Sequence, residues 1–134
     1  MKQFIDDLKS NPNFYAEKGA SLIQIENAEK ILGLKFAPDF KECLYEFGAI
    51  SVAGHELTGF SADKNLDVVE VTEKNREKLN FEKNLYVIEE THIDGIIVLQ
   101  DSKGMIYEIS PYSKIKKIAN SLVEYLGANQ QENL

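Results

Sequence analysis

Residues 28–49 read AEKILGLKFAPDFKECLYEFGA: one helix ending, a sharp corner and a second helix beginning. Just upstream, Ser21 and Gln24 stand at the capping-box spacing, in which a hydroxyl and a side-chain amide satisfy free backbone donors of a first helical turn. Ile25, Ala28, Ile31 and Leu32 then recur on one face. Gly33 falls where a helix C-terminus takes a left-handed residue, with Leu34 and Phe36 placed to fold back onto the helix they follow. Pro38, its φ fixed in advance, suits the first position of a new helix, and Asp39 puts negative charge near the positive end of that helix dipole. Phe40, Cys43, Leu44 and Phe47 form the inner stripe of the second helix, Lys41, Glu42, Tyr45 and Glu46 its outer face, and Gly48 its end. The stretch therefore predicts an amphipathic helix pair.

The same patterning extends outward in both directions. Residues 2–9 place Phe4, Ile5 and Leu8 on one side of a short helix that SNPN (10–13) stops. After Gly48 the period shortens: Ile50 and Val52, a turn at Ala53-Gly54, and a return over 56–58 predict a hairpin. Residues 65–80 combine strand-favouring valines with a helical capping pattern, Asp67 to Glu70, and the helix is the better fit. LYVIEE (85–90), GIIVLQ (95–100) and MIYEIS (105–110) predict an antiparallel meander. A final helix is expected over 113–127, with Ile115, Ile118, Ala119, Leu122 and Leu126 on one stripe, followed by a frayed tail over 128–134. The sum is α+β: one domain over residues 1–127, with helices packed on the face of an antiparallel sheet.

Composition narrows the function. The 134 residues, 43% hydrophobic with seven Phe and six Tyr, suffice to bury a core without disulfides or metals. Charges interrupt every turn of the N-terminal segment and no long apolar run exists, so no membrane association is expected and the chain is expected to be soluble and cytoplasmic. A single cysteine agrees with a reducing compartment. Fifteen Lys plus Arg against 22 Asp plus Glu leave a formal charge of -7, which argues against binding nucleic acid through phosphate and suits a basic partner.

Catalytic material is thin. Cys43 lies on the inner stripe between Phe40 and Phe47, where a thiol behaves as a small inert hydrophobe. His55-Glu56 and His92-x-Asp94 lack a partner at metal-ligand spacing, so no metal and no cofactor is expected, and GHELTG (54–59) lacks the Lys-Ser/Thr of a phosphate loop. Glu89, Glu90, Asp94 and Asp101 crowd the meander in sequence and are read as a solvated strand end or a docking patch for a basic surface.

Residues 25–49 resemble the entry motif of the SUKH superfamily, in which a Glu on the first helix, a Leu-Gly pair, a Pro opening the second helix and a Gly closing it recur in order; Glu29, Leu32, Gly33, Pro38 and Gly48 match. Gly59-Phe60 suits the family's central Gly-aromatic step, residues 94–110 resemble its final hairpin, and IANSLVEYL (118–126) its closing helix. Phe36-Ala37-Pro38 stands where Leu-Pro is frequent, and Gly48-Ala49 where Asn-Gly or Gly-Gly is common. The resemblance implies helices against a twisted antiparallel sheet, and binding rather than catalysis. Bacterial members typically neutralise a co-encoded polymorphic toxin, often a nuclease, in the cytoplasm. It therefore implies an immunity protein whose partner is a cognate toxin domain, but it carries over no site residues; acidic charge and aromatic placement on the meander single out Glu89, Glu90, Asp94 and Asp101 as expected contacts and Tyr86 and Tyr107 as aromatic anchors. Two readings stand beside it: an intracellular regulatory scaffold, as fungal members suggest, and a small hydrolase assembled from His55, His92 and carboxylates.

Overall fold

A computed structural model describes residues 2–132. The elements are α1 (Lys2–Ser10), β1 (Tyr15–Ala16), α2 (Leu22–Leu32), α3 (Pro38–Glu46), β2 (Ile50–Val52), β3 (His55–Leu57), α4 (Val68–Lys78), β4 (Tyr86–Glu90), β5 (Ile97–Gln100), β6 (Ile106–Ser110), β7 (Ser113–Ala119) and α5 (Leu122–Glu132). The architecture is α+β, as the sequence predicts, with two antiparallel sheets in place of the single one expected, β1-β2-β3 and β4-β5-β6-β7. Thr58 fastens one to the other: its amide donates to the Ile88 carbonyl at 2.9 Å and its hydroxyl to the Val87 carbonyl at 2.8 Å.

The corner forms by the chemistry read from its sequence. Ser21 and Gln24 close the capping box, and Gly33 adopts φ 71° at the end of α2. The Leu34 amide reaches back to the Glu29 carbonyl at 3.1 Å and that of Gly33 to the Lys30 carbonyl at 3.3 Å, a Schellman closure. The side chain of Glu29 then accepts the Phe36 amide at 2.8 Å, so the turn is held from inside. Phe36, Phe40 and Tyr86 meet with ring centroids 4.8–5.4 Å apart, fixing the corner onto the second sheet.

Asp39 has a larger part than its dipole position suggests. It is buried, accepts Gln100 Nε2 at 3.0 Å on one oxygen, and accepts the Leu122 amide at 3.0 Å on the other. Gln100 in turn accepts the Tyr86 hydroxyl at 2.6 Å, and that hydroxyl accepts the Ala37 amide at 2.9 Å. One connected polar chain thus ties the start of α3, the sheet and the start of α5, satisfying buried groups that would otherwise cost stability.

A large core lies between one face of the second sheet and helices α1, α2, α3 and α5, with Ile25, Leu44, Ile88, Val98, Ile106 and Leu122 among its members. A smaller core lies between α4 and the opposite face, built from Val71, Leu85, Val87, Ile97, Leu99 and Ile109. Gly59 is needed where segments cross: a Cβ there would sit 2.3 Å from the Gly48 carbonyl carbon and 2.4 Å from the Ala49 nitrogen.

The last helix differs from expectation. Residues 113–119 are an edge strand and the helix begins at Leu122, so Ile115 and Ile118 are exposed rather than on a buried stripe. Pro111-Tyr112 is a two-residue link that pairs Ser110 with Ser113 and commits the chain to returning along β6. The helix start carries its own signal: the Ser121 hydroxyl accepts the Glu124 amide at 3.1 Å, and the Glu124 carboxylate accepts the Asn120 amide at 2.7 Å. The helix passes through Gly127 to Glu132; the last two residues of the expected tail, 133–134, lie outside the described residues.

Candidate protein-binding surface

The β4–β5–β6 meander was expected to present its acids together, and its topology separates them. Glu90 pairs with Ile97 near the loop that carries Asp94, whereas Asp101 follows Gln100, opposite Tyr86 at the other end of the hairpin. Four residues of strand, roughly 13 Å, lie between the two ends. Glu89 and Glu90 also point to opposite faces, as successive strand residues do.

Each acid but one is already engaged. Glu89 is buried: one oxygen accepts the Tyr125 hydroxyl at 2.5 Å and lies 2.8 Å from His55 Nδ1, and the other accepts the Glu56 amide at 3.3 Å. Glu90 pairs with Lys74 Nζ at 3.1 Å and accepts Asn75 Nδ2 at 3.0 Å. Asp101 accepts the Lys103 and Met105 amides and the Tyr107 hydroxyl, each at 3.0 Å, and so organises the β5–β6 turn. Asp94 stands exposed in the β4–β5 loop with φ 53°. Of the two tyrosines, Tyr107 is half-buried beside Asp101, and Tyr86 is wholly enclosed. Burial raises the Tyr86 hydroxyl well above the ordinary phenol range, keeping it a neutral donor to Gln100. Neither Tyr86 nor Glu89 offers its side chain to a surface partner, because a strand between two packed faces has no solvent side.

The free sheet edge is basic rather than acidic. β7 ends the second sheet and carries Lys114, Lys116 and Lys117, with Lys116 paired to Glu108 at 3.2 Å. Lysines on an edge strand oppose pairing with another chain. The helix pair also carries large exposed apolar side chains, Leu22 at 63%, Ile23 at 72% and Ile31 at 62% exposure on α2 and Tyr45 at 52% on α3; of these Leu22 and Tyr45 line one groove and Ile31 a separate cavity. The helical spacing puts Ile31 on the inner stripe with Ile25, Ala28 and Leu32, but α2 leaves it at the margin of that stripe and exposed; the apolarity of Leu22 and Ile23 outside the stripe is the signal that the periodicity does not explain.

Reactive groups are poorly placed for catalysis. Cys43 is buried and its thiol is pushed up to about 12, by burial first and by Asp39 and Glu42 second. His55 joins β3 to β4 through Glu89 and rests its ring 4.8 Å from that of Tyr125, while its Nε2 is buried with no partner among the described residues. Burial, and next the Glu89 carboxylate, raise the Tyr125 hydroxyl, so it stays protonated as the donor to Glu89. His92 is exposed in the β4–β5 loop with φ 61°. Among the described residues no group of three or more His, Cys, Asp or Glu could hold a metal, and no helix is long and apolar enough to cross a membrane.

A sequence model of the SUKH group, SUKH_5, described as SMI1-KNR4 cell-wall, matches residues 1–129. No curated protein matches the chain.

Proposed function

The chain belongs to the SUKH family, whose members include toxin-immunity proteins and SMI1/KNR4 regulators acting through protein contact, and from that premise we propose that it is an immunity protein. In this reading it binds a cognate toxin domain in the cytoplasm and covers the toxin's active site or substrate path. The family match, spanning residues 1–129, is the observation that carries the reading. Charge supports it: at -7, the protein complements a cationic surface such as the substrate cleft of a nuclease, where carboxylates take the place of phosphates and quicken encounter. The regulatory-scaffold reading rests on the same family and shares the same binding chemistry.

The test is growth of a sensitive host expressing the toxin domain encoded beside this chain, with and without the protein. Neutralisation predicts growth restored only when both are present. Arrest that persists despite soluble protein contradicts it.

A further inference from the structure

The groove between α2 and α3 is an unassigned surface on which shape, apolarity and charge coincide. It holds a cavity of about 500 Å³ floored by buried Ile25. Leu22 stands on one bank, and Pro38 and Tyr45 on the other, all exposed. Carboxylates interleave with these side chains: Glu26 on the α2 bank, Glu42 on the α3 bank, and Glu29 below. Lys41 is the one basic side chain in the lining, and it is turned back onto Glu29 at 3.4 Å, so its charge is spent internally. Among the described residues Glu26 and Glu42 form no ion pair, and the second oxygen of Glu29 meets only Lys35 Nζ at 3.9 Å.

We propose that this groove is the docking site for a cationic amphipathic segment of a partner protein, its apolar face between Leu22 and Tyr45 and its Lys or Arg side chains on Glu26 and Glu42. Helix α2 has 11 residues, roughly 16 Å, which matches about three turns of a partner helix. A second copy of this chain is disfavoured because it would set acidic rim against acidic rim. The proposal rests on the protein-binding reading above and names the surface and the partner chemistry.

The test uses the full chain, isotope-labelled for NMR, titrated with a synthetic Leu/Lys amphipathic peptide of about 15 residues, long enough to hold a helix. The expected result is shifted amides in α2 and α3 around Leu22–Glu29 and Lys41–Tyr45, and binding weakened at least about tenfold, roughly 1.4 kcal/mol, in the folded E26K/E42K variant. A Leu/Glu peptide of the same length is expected not to bind. Equal binding of both peptides, shifts centred on Glu90–Asp94 or on β7, or no binding at all would overturn the proposal. So would concentration-dependent shifts at Tyr45 without peptide, which would assign the groove to a second copy. Growth rescue separates the two readings. Rescue that survives E26K/E42K removes the groove and leaves immunity standing; failed rescue by a wild-type protein that binds the peptide in the groove removes immunity and leaves the groove.

Discussion

Gly59 and Cys43 show two ways in which a single residue is constrained here. At Gly59 the backbone of residues 48–49 passes where a side chain would begin, so neither rotamer choice nor side-chain repacking relieves an added methyl. Gly59→Ala is expected to destabilise by about 3 kcal/mol, read as a lowered urea midpoint with unchanged slope. Cys43 is held neutral by its surroundings, and a thiol is reactive only as thiolate. The folded protein is expected to resist an aromatic disulfide reagent at pH 8 and to react with one equivalent in denaturant; rapid labelling of the native state would contradict its burial. Cys43 was legible in the sequence because its neighbours repeat at helical spacing. The burial of Glu89 and Tyr86 was not, because it depends on partners 34 and 49 residues away in the chain, His55 and Ala37. Sequence neighbourhood suggested one acidic patch where an antiparallel hairpin puts its two ends apart.

At the scale of the element, local chemistry was read well and long-range pairing less so. The boundaries of α2 and α3 follow from Ser21, Gly33 and Pro38, whose effects act within one turn. Residues 113–119 lack such independence. Ile115, Ile118 and Leu122 fit a helical stripe, but β6 needs an antiparallel neighbour and the Pro111-Tyr112 link supplies it. The resulting edge is long and lysine-rich, and its charges repel a second such edge. Replacing Lys114 and Lys116 by Val is expected to cause self-association in light scattering while leaving the far-ultraviolet dichroism unchanged. A variant that stays monomeric at high concentration would show that the lysines have no protective part.

For the whole molecule, burial of neutral acids sets the response to alkali. Burial raises the Cys43 thiol to about 12 and holds Tyr86 and Tyr125 above the ordinary phenol range. The unfolded chain releases these protons near the ordinary values, about 8.5 for a thiol and 10 for a phenol, while the native state retains them. Their contribution to stability is therefore complete below those values and is lost as pH rises through the folded ones. Urea midpoints are expected to be insensitive to these groups up to about pH 8 and to fall steadily above about pH 9. A midpoint that holds level to pH 11 would contradict the enclosed network at Tyr86 and Gln100. The charge of -7 acts over longer range, predicting association with a cationic partner that slows as salt is added.

Neutralisation by binding is best tested by titrating the purified protein into an activity assay of the proposed cognate toxin domain. Binding predicts toxin activity falling linearly to zero at an equimolar ratio and returning when the complex is dissociated. Full activity in the presence of excess folded protein, or permanent inactivation by a small fraction of an equivalent, would contradict it.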